Sequence, residues 1–117
     1  MQQTIARISR RVVGAGLLAI VAAGALAAQG INGLYNVEGR NPDGSTYRGT
    51  AQLVELNGAV TIAWQVAGQG YQGTGSRVGD VIRVNWGDQH PVVYVVMPSG
   101  QLHGTCANGM ALERLVR

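Results

Sequence analysis

The sequence predicts an all-β fold: about eight strands in an antiparallel up-and-down meander that closes into a small barrel. A flattened two-sheet sandwich is the alternative. Three observations carry the prediction. Short runs rich in Val, Thr and Tyr recur about every 8 to 12 residues between Gly, Asn and Asp turn signals. The run from Ala59 to Val66 alternates cleanly, with Val60, Ile62, Trp64 and Val66 on one face. Every link is short, and short links join antiparallel neighbours, because a parallel crossover needs roughly a dozen residues or more.

The elements follow in order. The first predicted strand is Gly33 to Gly39, with Tyr35 and Val37 on one face. Asn41-Pro42-Asp43-Gly44 makes a turn, since Pro fixes φ and Gly supplies φ > 0. The second strand, Ser45 to Glu55, places Tyr47, Gly49, Ala51 and Leu53 together. Asn57-Gly58 is the strongest short hairpin signal in the chain and leads into Ala59 to Val66. After Gly68-Gln69-Gly70 comes Tyr71 to Arg77, with Tyr71, Gly73 and Gly75 on one side. After Val78-Gly79-Asp80 comes Val81 to Trp86, which groups Ile82, Val84 and Trp86. Three more strands complete the set: Pro91 to Met97, Gln101 to Ala107 and Met110 to Val116. An open sheet of this size would leave two unpaired edges, and closure removes them.

A weak repeat runs through the strands: Tyr47-Arg48-Gly49-Thr50, Tyr71-Gln72-Gly73-Thr74 and Leu102-His103-Gly104-Thr105. Gly inside a strand marks a bulge, a bend or a close approach, which suits the corners of a tightly coiled barrel. A backbone-lined groove for a ligand is the functional alternative.

The N-terminal segment reads as a secretory signal spanning residues 1–27, ahead of a barrel domain at 28–117. Arg7, Arg10 and Arg11 precede an apolar stretch, and Ala25-Leu26-Ala27 matches the A-x-A cleavage rule. The stretch is at the bottom of the membrane-spanning range, rich in Ala and Gly, and no basic stop-transfer cluster follows it. Arg10-Arg11 raises the twin-arginine route, but the match is partial and the general secretory route fits better. The expectation is an exported protein, periplasmic or secreted, that is not integral to the membrane after cleavage.

The formal net charge of +3 belongs to this leader. Beyond it, Arg40, Arg48, Arg77, Arg83, Arg114 and Arg117 balance Glu38, Asp43, Glu55, Asp80, Asp88 and Glu113. There is no lysine, and no basic excess to suit nucleic acid. Cys106 is the sole cysteine, so no internal disulfide can form. Its strand-like setting predicts burial as a small hydrophobe, with an intermolecular pair as the alternative.

Gly33-Leu34-Tyr35-Asn36-Val37-Glu38-Gly39, the run Asn41 to Thr50, Trp64, Tyr71 to Gly75 and Gly100 to Thr105 form one pattern. In it the sequence resembles a group of small exported bacterial proteins of largely unknown function, some labelled fibronectin-binding. The resemblance spans nearly the whole domain, implies a binding role, and carries no binding residue onto this chain. The opening Gly33-x-Tyr35 is also similar to the lipocalin and avidin (calycin) opening motif, which has Trp where Tyr35 stands.

No catalytic constellation is visible. His90 precedes Pro91 in a turn and is expected at the surface. His103 alternates outward, and no Gly-x-Ser-x-Gly elbow is present. His103 and Cys106 are three apart, hence on opposite faces of a strand, and cannot chelate one metal. Asp43 and Asp88 sit in turns without calcium-loop spacing. Glu38, Glu55 and Glu113 read as solvated strand positions, since Glu is rarely buried. A membrane barrel is disfavoured: several strands are too short, and the outer faces carry Arg48, Gln52, Gln65, Gln72, Arg83 and Asn85.

Trp64 and Trp86 are the leading ligand-binding candidates, joined by Tyr35 and Tyr71; core filling is the competing role. The expectation is a non-catalytic binding or interaction module with no cofactor and no metal. Its partner would be a protein, or a small apolar ligand carried in the barrel lumen. An enzyme is the distant alternative.

Overall fold

A computed structural model describes residues 30–117. The expected signal segment and its helix lie outside the described residues. Eight strands follow in order: β1 Gly33–Arg40, β2 Thr46–Leu56, β3 Ala59–Val66, β4 Gln69–Val78, β5 Val81–Asn85, β6 Val92–Val96, β7 Leu102–Cys106 and β8 Ala111–Val116. Each pairs antiparallel with the next, and β1 also pairs with β8, so the sheet is a closed up-and-down barrel. Closure removes the two outer edges of the sheet, although residues 69–73 of β4 extend beyond β5 and pair only with β3.

Local chemistry explains the hairpins. Asn57 and Gly58 both have positive φ, at 51° and 85°, as a two-residue type I′ turn requires. In the β1–β2 turn, Asp43 Oδ1 accepts the Ser45 N–H at 2.9 Å and the Ser45 hydroxyl at 2.6 Å. Those bonds hold the Asp43 carboxyl below its ordinary pKa. A single 3-10 turn, Ala107–Gly109, links β7 to β8.

The period-2 alternation predicted from the sequence is present along β3, where Val60, Ile62 and Trp64 are buried and the residues between them are exposed. Inward side chains from all around the barrel meet in one core that includes Val37, Leu53, Ile62, Ile82, Tyr94 and Leu115. Burying each such aliphatic side chain contributes about 1.5–3 kcal/mol.

The meander sorts its loops into two ends. The β1–β2, β3–β4, β5–β6 and β7–β8 links share one end, here called the mouth. The other end is filled. Ile31 is buried there, and its carbonyl accepts the Tyr35 hydroxyl at 2.7 Å. The Arg117 guanidinium lies 4.7 Å over the Tyr35 ring and donates to the Asn32 carbonyl at 2.8 Å. Arg77 projects inward at the same end, its side chain only 7% exposed, and pairs with Glu55 at 3.1 Å.

Candidate functional site

The mouth contains a cavity of about 310 Å³. Its walls include Trp64, Val66 and Tyr71 from the β3–β4 hairpin, Trp86 and Val92 from the β5–β6 hairpin, and Cys106. Tyr47, Glu113, Asn41 and Ala67 complete its lining. The volume lies at the low end for small-molecule sites, which run from roughly 300 Å³ upward.

The aromatic wall is ordered by contacts between strands. Trp64 pairs directly opposite Tyr71 across β3 and β4. The Trp86 ring meets Trp64 at 6.5 Å and Tyr71 at 5.9 Å between centroids, both edge-to-face. Such geometry sets the positive edge of one ring against the negative face of another. Trp86 lies one residue past the end of β5, beyond its predicted place inside that strand. Its indole N–H donates to the His90 carbonyl at 3.2 Å, tying the β5–β6 loop to the wall.

Glu113 is the residue that sequence reasoning missed. It was expected on a solvated strand face, and it is 8% exposed. On β8 it shares the inward face with Ala111 and Leu115. The burial is tolerated because three donors converge on its carboxylate. Tyr47 donates to Oε1 at 2.8 Å, Trp64 Nε1 donates to Oε2 at 3.0 Å, and the Tyr94 hydroxyl also donates to Oε2. Trp64 Nε1 is also 3.2 Å from the Tyr94 oxygen, so its one hydrogen is shared. Among the described residues no arginine forms an ion pair with Glu113.

The sheet register explains how two tyrosines reach one carboxylate. Glu113 pairs with Gly39 on β1 and with Gly104 on β7. Gly39 pairs in turn with Tyr47, and Gly104 with Tyr94. The result is a five-strand row: Tyr47, Gly39, Glu113, Gly104, Tyr94. Each tyrosine ring lies across its glycine to reach the acid. A Cβ at Gly39 would overlap the Tyr47 ring, and one at Gly104 would lie 2.5 Å from Tyr94 Cδ1.

The negative site perturbs its neighbours. Burial and the Glu113 charge push the Tyr47 and Tyr94 phenols well above their ordinary pKa. The Cys106 thiol is raised by burial first, then by the charges of Glu113 and Asp88. Cys106 is half-buried at the mouth, less enclosed than its strand setting predicted, because it ends β7 beside the opening.

Three of the four predicted ligand-site residues, Trp64, Trp86 and Tyr71, line the cavity. Tyr35 does not. It is 1% exposed and packs at the filled end, because it sits near the start of β1 while the mouth lies at that strand's end. His103 is exposed and contacts Gln101 at 2.8 Å, whereas His90 is half-buried, not open to solvent as its turn position suggested. Its carbonyl is occupied by Trp86. Neither histidine lines the cavity. Among the described residues no three side chains of metal-ligating type come together.

A wider, open recess of about 600 Å³ lies on the outer wall beside Glu38, Arg48, His103 and Arg114. It shares Tyr47 and Glu113 with the cavity. Its polar rim is internally paired, with Arg48 and Arg114 both meeting Glu38.

No family model matches the sequence, and no curated protein matches it. Among solved structures, a redesigned β-barrel superposes with a TM-score of 0.54 at 17% identity, over 74% of this chain and 90% of that one. At that identity the likeness concerns the fold alone.

Proposed function

We propose that this protein is an exported, non-catalytic β-barrel module that binds a small ligand at one end of its barrel. The observation that carries the reading is the cavity at the mouth, walled by Trp64, Tyr71 and Trp86, opposite an end filled by Ile31, Tyr35 and Arg117. Of the two binding roles read from the sequence, a carrier and a surface interaction module, this asymmetry favours the carrier. The exported location rests on the leader-like N-terminal segment.

The site has the marks of a binding pocket. Apolar rings provide contact area at low entropic cost, and a few fixed polar groups set orientation. The test uses the protein's own fluorescence, because its two tryptophans both line the cavity. A panel of small hydrophobic and aromatic compounds is expected to quench it saturably. Absence of saturable quenching across the panel contradicts the reading.

A surface role retains one supporting observation. The outer face of β1 and β2 exposes Leu34, Val54 and Leu56. Saturable binding to fibronectin or an envelope protein, lost on replacing these three by Ser, would favour it.

A further inference from the structure

Resting on that reading, we propose that the mouth cavity selects a small organic cation, a protonated amine with an aromatic or compact apolar body. The ammonium would face Glu113 and the body would lie against Trp64, Tyr71 and Trp86.

The carboxylate carries the inference. Buried charges are ordinarily paired, and Glu113 has hydrogen bonds but no ion-pair partner among the described residues. A carboxylate has about four acceptor positions. Two donors share Oε2 and one reaches Oε1, which leaves Oε1 able to take one more N–H. The carboxylate lines the cavity together with the three aromatic rings, and it also borders the outer recess.

The walls agree in sign. Aromatic faces are negative and attract a desolvated cation, Trp most strongly. Burial is the first cause of the raised pKa values of Tyr47 and Cys106, and the Glu113 charge adds to both, with Asp88 contributing further at Cys106. Among the opposing charges, Arg77 and Arg117 lie at the filled end, and Arg40, Arg48 and Arg114 are on the outer wall. Arg48 and Arg114 pair with Glu38 there, and Arg40 donates to the Gly44 carbonyl. Solvent screens these exposed groups more than it screens a buried acid.

The experiment compares three probes of nearly one shape: benzylammonium, benzyl alcohol and benzoate, titrated into the purified protein by calorimetry and tryptophan fluorescence. Benzylammonium is expected to bind about tenfold or more tightly than benzyl alcohol, and benzoate not to bind. Glu113→Gln is expected to erase the preference for the cation while benzyl alcohol still binds. Tyr47→Phe, which frees a second acceptor position on Oε1, is expected to enlarge the preference, and it serves should the Gln variant not fold. Equal or tighter binding of benzyl alcohol to the unaltered protein overturns the cation inference and leaves the ligand-binding reading standing. No binding by any probe, together with no quenching by the wider panel, overturns both.

Discussion

Tyr47 on β2 and Glu113 on β8 belong to strands that do not pair, yet the Tyr47 hydroxyl reaches Glu113 Oε1 at 2.8 Å across the backbone of β1. Gly39 makes this possible. Any side chain there would occupy the space that the Tyr47 ring now fills. Tyr94 repeats the arrangement from the other side, across Gly104. The buried acid therefore depends on two residues that never touch its carboxylate.

Gly39→Ala should displace the Tyr47 ring and cost about 1.5–3 kcal/mol, the value of a hydrogen bond to a charged group. Gly104→Ala should cost more, because a Cβ there also lies 2.6 Å from the Val93 carbonyl, which cannot swing away. Gly30→Ala, where an added Cβ would meet nothing within 4 Å, should change stability by less than about 0.5 kcal/mol. Urea midpoints of the three variants check the order.

Removing members of the network should follow burial. Glu113→Ala leaves three donors without their acceptor and should cost about 3 kcal/mol or more. Tyr94→Phe, at a buried position, should cost more than Tyr47→Phe, at a half-buried one. Equal losses for the two phenylalanine variants in denaturant unfolding would show that burial does not set their contribution.

Much of this was legible in the sequence, and the reasons are physical. The alternation Val60-Ile62-Trp64 and the Asn57-Gly58 turn both report local backbone geometry, so strand existence and hairpin register could be read. Glu113 could not. Leu112 is exposed while Ala111 and Leu115 are buried, so β8 carries apolar residues on both faces and its phase is ambiguous. The donors to Glu113 lie 19, 49 and 66 residues away, beyond any local signal. The place of Tyr35 follows from topology. In an up-and-down meander, residues near the start of β1 lie at the opposite end from the β3–β4 hairpin that holds Trp64 and Tyr71.

Stability should fall steeply in alkali. Tyr35, Tyr47 and Tyr94 all have folded-state pKa values raised above their ordinary value, chiefly by burial. The folded protein then holds protons that the unfolded chain gives up above about pH 10. The stabilisation is complete below that pH and is lost as pH rises beyond it. Each tyrosine contributes a slope of about 1.4 kcal/mol per pH unit. Urea midpoints measured across the alkaline range should show this loss, and Tyr47→Phe should make it shallower.

Ala67 at the mouth has φ of 53°, a left-handed conformation that disfavours Ala. It is followed by Gly68, also at positive φ. Ala67→Asn restores the Asn-Gly hairpin signal and should stabilise the protein by about 0.5–1 kcal/mol in thermal unfolding. No gain would mean that the β3–β4 turn relaxes without strain.

The most direct test of a ligand-accessible mouth uses Cys106, the only thiol in the chain and part of the cavity wall. Its raised pKa makes alkylation slow at neutral pH and faster as pH rises. Iodoacetamide modification should be slowed by a saturating concentration of any compound that quenches the tryptophans, and the modified protein should no longer show that quenching. An alkylation rate unaffected by such a compound, with quenching intact afterwards, would place the binding elsewhere and contradict the cavity as the site.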